Sequence, residues 1–170
     1  MTAYVALLRA VNVGGLTLPM AELKAICDAA GFANARTYIA SGNAVFASDL
    51  TESEVKTQLE PPLAAFAGKP IPVILRTAEE MKQVLDANPF PVAEPKFNYV
   101  LFLDSAPAPD AISSIRHRTA EEISAGTREL YIHYPTGMGK SKLVVPTARS
   151  GTARNMNTVA RLAEMAAELG

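Results

Sequence analysis

The stretch Tyr4-Val-Ala-Leu-Leu-Arg-Ala-Val-Asn-Val13 is a nearly unbroken apolar run, and only Arg9 and Asn12 interrupt it. A run of this kind, with no regular alternation of polar residues, is typical of a central strand buried on both faces of a sheet. Gly14-Gly15 ends the run, and apolar residues then recur at helical spacing from Met20 to Ala30. The stretch therefore predicts the central strand of a sheet, followed by a helix.

The rest of the first half predicts a hairpin, a helix and a strand. Two short strands, from Arg36 to Ala40 and from Ala44 to Ala47, are joined by a turn at Ser41-Gly42-Asn43. A helix with a capping box formed by Thr51 and Glu54 follows, and the last strand runs from Ile71 to Arg76. Pro61-Pro62 is expected to interrupt or kink that helix. The order β-α-β-β-α-β is the ferredoxin-like arrangement. Its last strand lies at a sheet edge, which is where Pro72 is tolerated.

The second half has its own set of predicted elements. It begins with a helix capped by Thr77 and Glu80 and a strand from Phe97 to Leu103. A short helix near Ile112 and Ile115 follows, and then a hairpin whose strands are Ala120 to Ala125 and Glu129 to Tyr134. A short helix from Lys140 to Val145 and a final helix from Met156 to Leu169 complete the chain. We therefore predict an α+β protein that divides near Thr77. Residues 1–76 would form a ferredoxin-like subdomain, and residues 77–170 a second α+β subdomain packed on it.

Composition narrows the class of protein. The chain has 170 residues, 49% of them hydrophobic, which suits one domain or two small packed halves. A formal net charge of -1 argues against nucleic-acid binding through overall charge. No apolar run approaches the roughly 20 residues needed to span a bilayer. The single cysteine, Cys27, excludes an internal disulfide and fits a reducing cytosol, so we expect a cytoplasmic protein that does not engage membranes.

Positive charge is concentrated in one region. Between Leu130 and Ala163 there is no Asp or Glu, while five cations occur: Lys140, Lys142, Arg149, Arg154 and Arg161. Positive charge beside Gly, Ser, Thr and Asn is typical of an anion-binding site. An ordinary solvent-exposed surface can have the same composition, so both interpretations are open.

The segment Gly137-Met-Gly-Lys-Ser141 resembles the end of a phosphate-binding P-loop. The full motif needs a glycine where this chain has Tyr134, and Pro135 removes a backbone N–H from the would-be loop. A true P-loop is therefore not predicted. Lys140 and Lys142, with nearby amides, could hold a single phosphate, and the alternative is a plain turn with surface lysines.

Two further groups of polar residues have both a structural and a functional interpretation. Asn155 or Thr152 could cap the last helix, and Arg154 could clamp an anion beside the same helix end. Arg9 and Asn12 could face a cleft with Gly14-Gly15 at its rim, or they could lie at an ordinary strand-to-helix turn.

The sequence contains no recognisable pattern of catalytic or metal-binding residues. Ser41 has no base beside it in the sequence, and Cys27 falls on the inward face of a helix. His133 lies in a strand, and His117 lies between two arginines on an exposed helix. Two isolated histidines and one cysteine do not form a zinc pattern, so no metal site is predicted and the catalytic residues and cofactors stay unassigned.

Five segments together resemble the bacterial domain-of-unknown-function family DUF1697, in order along the chain: Leu8 to Gly15, Tyr38 to Asn43, Asn88 to Phe90, Tyr134 to Leu143 and Thr152 to Thr158. The resemblance implies a two-part α+β fold whose first half is ferredoxin-like. It implies no reaction, because that family has none assigned. Two departures stand out: Met156 occupies a position where the family usually has Trp, and the segment between Leu143 and Thr152 is shorter than usual.

Three functional hypotheses follow. The first is a small anionic ligand, phosphate- or nucleotide-like, bound in a cleft between the two subdomains by Arg9, Asn12, Gly14, Gly15, Ser41, Gly42, Asn43, Lys140, Arg154 and Asn155. The second is a nucleic-acid or protein interaction module that uses the basic C-terminal face. The aromatic-rich basic motif of RNA-binding sheets is missing, which weakens the nucleic-acid form of it. The third is an enzyme of unassigned reaction.

Overall fold

A computed structural model describes residues 1–11, 16–39 and 41–169. Within these ranges the chain forms two four-stranded antiparallel sheets and four α-helices, so the predicted α+β class is confirmed. The helices are α1 (Met20–Ala29), α2 (Glu52–Ala67), α3 (Ala78–Asp86) and α4 (Met156–Leu169). None of the helices in the described ranges is long and apolar enough to cross a bilayer.

The first sheet is built around β1 (Thr2–Leu8). It pairs with β3 (Asn43–Ser48) on one side and with β4 (Val73–Thr77) on the other, and β2 (Ala33–Thr37) pairs with β3. The strand order is thus β2-β3-β1-β4, with every neighbouring pair antiparallel. Strand β4 lies at the edge, as the sequence predicted. The element order β-α-β-β-α-β is also present, while the ferredoxin-like assignment itself stays a prediction.

Strand β1 is buried on both faces, as its unbroken apolar run predicted. On one face Tyr4, Ala6 and Leu8 join a core with residues of α1 and α2, in which the ring of Phe46 stacks on Phe32 at 4.3 Å. On the other face Val5 is fully buried. A central strand with no solvent-facing side has no position at which polar residues would alternate, which explains the pattern.

Helix α2 runs through Pro61 and Pro62, so the expected interruption does not occur. Each proline removes one helical N–H, and the carbonyls thereby released belong to Thr57 and Gln58. Both of these residues are exposed, so water can solvate their carbonyls. The predicted capping box is confirmed: Thr51 Oγ1 accepts the Glu54 N–H at 3.3 Å, and Glu54 accepts the Thr51 N–H at 3.0 Å.

The second sheet repeats the pairing pattern of the first. Strand β5 (Asn98–Leu103) lies between β7 (Glu129–His133) and β8 (Gly151–Asn155), and β6 (Glu122–Ala125) pairs with β7. The order β6-β7-β5-β8 has the same succession of first, second, third and fourth strands as the first sheet. One face of this sheet carries a core of its own, which includes Leu101, Leu130 and Ile132.

Three local predictions in the second half are wrong. The segment near Ile112 and Ile115 forms turns instead of a helix, and the only helical turn near Lys140 is the short 3-10 helix Met138–Lys140. Strand β8 was missed, because Gly-Thr-Ala-Arg-Asn has the composition of a loop. The final helix has the predicted bounds.

The described chain divides into two compact units. Unit 1 comprises Met1–Lys82 together with the residues from Leu162 onward, and unit 2 comprises Gln83–Arg161. Each unit is described by itself below. The division near Thr77 and the packing of one subdomain on the other stay predictions.

Gly151 tests the close approach of β8 to β5. A Cβ atom at this position would lie 2.5 Å from the carbonyl oxygen of Phe102, a backbone atom that cannot move without breaking the sheet. We expect Gly151→Ala to lower the free energy of unfolding by about 1–3 kcal/mol in urea denaturation. Gly139→Ala is the matched control, because no atom lies within 4 Å of the added methyl, and it should change stability by less than about 0.5 kcal/mol. Equal effects would contradict this account.

Candidate functional site

Two of the predicted polar groups meet at one end of the first sheet. Because β1 is antiparallel to both β3 and β4, its carboxyl end lies beside the amino ends of those strands. The N–H of Leu8 donates to the Gly42 carbonyl at 2.9 Å, and the N–H of Arg9 donates to the Pro72 carbonyl at 3.1 Å. Arg9 and the turn at 41–43 are therefore neighbours in space although they are distant in sequence. We refer to this region as the sheet end.

The backbone at the sheet end is strained. Ala10 has a φ of 57° and Ile39 has a φ of 48°, which places both in the left-handed region. A β-branched residue at positive φ is a genuine outlier, because its branched Cβ crowds the backbone. Such strain persists only where surrounding structure enforces it, and it clusters at binding and catalytic sites. Ile39 is also 46% exposed, so its strained conformation is not explained by burial in a core.

The turn at the sheet end is held by Asn43. This side chain is fully buried, and its Nδ2 donates to the Tyr38 carbonyl and to Ser41 Oγ, both at 2.9 Å. Gly42 has a φ of 89°, and a Cβ atom there would overlap Val11 Cγ2. Asn43 and Gly42 thus have clear structural roles, while Ser41 is exposed at the tip. Their predicted contacts with a ligand stay predictions.

Arg9 carries the positive charge of the sheet end. It lies directly after β1 and is partly exposed, so it is not the buried arginine that a position inside the strand would have produced. Among the described residues no ion pair involves its guanidinium. Asn12, Gly14 and Gly15, which were predicted to line the same site, lie outside the described residues.

A hollow adjoins the sheet end on the surface of unit 1. It has a volume of about 350 Å³ and lies between α2 and the segment leading to β4, where Pro70, Ile71 and Pro72 line it. Lys56 and Glu60 of α2 supply its charged groups. Pro72 connects the two features, because its carbonyl accepts the Arg9 N–H. No pattern in the sequence indicated this hollow, because its lining depends on how α2 packs.

In unit 2, Arg154 lies near the end of β8, directly before Asn155 and the start of α4, so its expected place at the entry of the last helix is confirmed. The residue is 5% exposed, and its guanidinium donates to Thr152 Oγ1 at 2.6 Å and to the Ala153 carbonyl at 3.0 Å. Burial lowers the pKa of Arg154 to about 10. A buried arginine with partners in its own strand contributes to the packing of the unit, and its predicted role as an anion clamp stays a prediction.

Asn155 and Lys140 have different environments. Asn155 Oδ1 accepts the Thr158 N–H at 3.0 Å, which is the geometry of a helix cap for α4 and confirms the capping interpretation. Lys140 is exposed at the end of the 3-10 helix. A second buried arginine, Arg76 of β4, is 2% exposed and was not singled out, although its place in an apolar run was a usable signal.

Glu121 ties two irregular segments of unit 2 together. Its carboxylate accepts hydrogen bonds from Ser141 Oγ and from the Thr119 N–H, the latter at 2.7 Å. These hydrogen bonds, the one from Ser141 first, lower the pKa of Glu121 to about 2. Ser141 of the Gly-Lys-Ser segment is therefore engaged with Glu121. Sequence analysis had not paired these residues, because 20 positions separate them.

Comparison with known proteins gives the family but no activity. Residues 1–131 match the model of the family described as "Protein of unknown function (DUF1697)". The chain belongs to this family. The match includes the sheet end, while Tyr134 to Leu143 and Thr152 to Thr158, which also resembled the family, lie beyond the matched residues.

A solved structure shows the same fold. It is the conserved bacterial protein SP0830 from Streptococcus pneumoniae, with a TM-score of 0.82 and 24% sequence identity. The similarity covers 98% of this chain and 99% of that chain. Comparison with curated proteins gave no match.

Glu121 predicts a dependence of stability on pH. Its folded-state pKa, about 2, lies below the ordinary value of 4.5, so its contribution to stability is present above about pH 4.5 and is lost as the pH falls toward 2. At pH 6 we expect Glu121→Gln to lower the melting temperature by about 3–6 °C. At pH 3 the difference from the wild type should be clearly smaller.

The control for this measurement is Glu94→Gln, which removes an exposed carboxylate of the same unit that forms a surface ion pair with Lys96 at 3.6 Å. Its melting temperature should follow the wild type at both pH values. A difference between wild type and Glu121→Gln that stays constant from pH 6 to pH 3 would contradict the assignment.

Proposed function

We propose that the protein binds a small anionic ligand, phosphate- or nucleotide-like, at the sheet end of unit 1. The observation that carries the proposal is the enforced left-handed backbone at Ala10 and Ile39, beside the partly exposed Arg9. Strain of this kind lowers the stability of the free protein by roughly 1–3 kcal/mol per residue. A role in ligand binding explains why this strained backbone is kept at an exposed position.

The chemistry of the sheet end suits an anion. Arg9 offers a guanidinium, whose planar set of N–H donors matches the paired oxygens of phosphate and carboxylate. Ser41 lies at the exposed tip of the adjacent turn, where its Oγ accepts a hydrogen bond from Asn43. The guanidinium of Arg9 is therefore the group that would recognise a phosphate.

The neighbouring hollow favours a small molecule that has an apolar or ring-shaped body. Its volume, about 350 Å³, lies within the range of ligand pockets. The faces of Pro70 and Pro72 offer apolar surface, and Lys56 adds a positive charge on the α2 side. A nucleotide or sugar phosphate would place its phosphate at Arg9 and its body against these prolines.

The wider form of the proposal adds groups from unit 2. In that form Lys140, Arg154 and Asn155 complete the site in a cleft between the two halves. Lys140 is the appropriate residue to test, because Arg154 and Asn155 have structural partners and their removal would destabilise the unit. A loss of affinity in Lys140→Ala would support the wider form. Unchanged affinity would restrict the ligand to the sheet end.

Titration calorimetry with nucleoside monophosphates and sugar phosphates tests the proposal. For the ligand that binds, Arg9→Ala should weaken binding at least tenfold, because a charge-assisted hydrogen-bond pair contributes about 1.5–3 kcal/mol. The affinity of Arg9→Lys should lie between the affinities of the wild type and Arg9→Ala, because lysine keeps the charge but loses the paired N–H donors.

Arg149→Ala is the matched control. It removes the same type of charge from an exposed position in unit 2, so any effect of net charge alone appears in both variants. Binding that is equal in the wild type and Arg9→Ala, or that only Arg149→Ala weakens, would overturn the proposal. The second result would favour the interaction module with a basic C-terminal face.

A further inference from the structure

Two basic segments of unit 2 lie side by side. Arg116 and Val144 form an antiparallel β-bridge in which each N–H donates to the other carbonyl at 2.9 Å. The bridge brings the segment Arg116-His-Arg118 close to the segment Lys140-Ser-Lys142, which ends two residues before Val144. The pairing is limited to this single bridge, because His117 has a φ of 59° and the chain bends there. Tertiary structure thus adds Arg116 and Arg118 to the cationic region that the sequence had located after Leu130.

Further contacts hold the two segments in place. Arg118 Nε donates to the Glu121 carbonyl at 2.8 Å, which fixes the stem of that side chain. The Glu121 carboxylate in turn accepts the hydroxyl of Ser141, which lies between Lys140 and Lys142. Ser141 Oγ also accepts the Leu143 N–H at 3.1 Å. Hydrogen bonds between the two segments therefore hold the backbone that carries these basic residues.

The positive charge of this surface is exposed and locally unbalanced. Arg116, His117, Arg118, Lys140 and Lys142 are all exposed. Residues 116–120 and 134–150 contain no Asp or Glu. The nearest acid in the sequence, Glu121, is 6% exposed and is engaged with Ser141 and Thr119, so it does not project into solvent. We call these five exposed residues the basic surface.

The number of charges favours a polyanion. Four permanent cations, Arg116, Arg118, Lys140 and Lys142, lie on the two bridged segments. A single phosphate is satisfied by one or two of them, whereas a chain of phosphates can contact all four. The charge density also suits a phosphodiester backbone better than an acidic peptide, whose carboxylates are borne on flexible side chains.

We propose that the basic surface of unit 2 binds the phosphate backbone of nucleic acid without sequence selectivity. The proposal stands on residues of unit 2 alone and is independent of the ligand proposed for the sheet end. Four permanent cations predict weak, salt-dependent binding, with dissociation constants of roughly 1–100 µM at moderate salt. The formal net charge of -1 limits attraction at long range, so the contact depends on this local surface.

Fluorescence anisotropy with a labelled oligonucleotide of about 20 nucleotides, single-stranded and as its duplex, tests the proposal at several salt concentrations. The wild type should bind, and the affinity should fall steeply with salt. Arg116→Ala/Lys142→Ala should weaken binding to the single strand roughly 10- to 30-fold at 0.1 M salt and reduce the salt slope by about 1.4. Neither side chain takes part in the bridge, which is formed by the backbone, so the variant should keep its melting temperature.

The charge-matched control is Lys24→Ala/Arg36→Ala in unit 1, which also removes two cations, one exposed and one partly exposed, each in a surface ion pair. It should bind like the wild type. Three results would overturn the proposal: no binding in low salt, equal losses in the two double variants, or binding to anionic lipid vesicles or polyglutamate that matches binding to the oligonucleotides.

Discussion

The antiparallel pairing of β1 with both β3 and β4 is the constraint on which the geometry of unit 1 depends. A strand buried on both faces has to lie in the middle of its sheet, and two antiparallel neighbours then bring three chain segments to the same end. Arg9, the turn at 41–43 and Pro72 meet for this reason. The strained φ angles of Ala10 and Ile39 lie where the chain leaves β1 and β2 at this crowded end.

The second sheet has the same strand order but different connections. In the first sheet, helices α1 and α2 join β1 to β2 and β3 to β4. In the second, the corresponding connections, residues 104–121 and 134–150, contain only turns and short 3-10 helices. Their apolar residues, among them Ala111, Leu143 and Val145, still join the core of that sheet. Irregular segments over a core must pair their backbone groups, and the bridge between Arg116 and Val144 does so. The basic surface is a consequence of this pairing.

Predictions succeeded where one local signal controlled the outcome. The capping boxes at Thr51 and Thr77 could be predicted from the sequence, because their reciprocal hydrogen bonds span only three residues. The last helix could be predicted from the spacing of its apolar residues. Predictions failed where long-range contacts decided, as at β8, whose polar sequence forms a strand because β5 offers it an unpaired edge. Arg154 does precede the last helix, as expected, and the pairing of β8 with β5 also buries it in the sheet.

By itself, the amino-acid sequence determined the α+β class, the central place of β1, the edge position of β4 and most helix ends, because hydrophobic periodicity, caps and proline act over a few residues. It also located the residues of the sheet end, though not the strain there. Tertiary structure alone decided that Arg9 adjoins the turn at 41–43, that Arg154 is buried, and that Arg116 is bridged to Val144, two residues after Lys142. These outcomes depend on which distant strands pair, and pairing is settled by the burial of whole faces rather than by any local pattern.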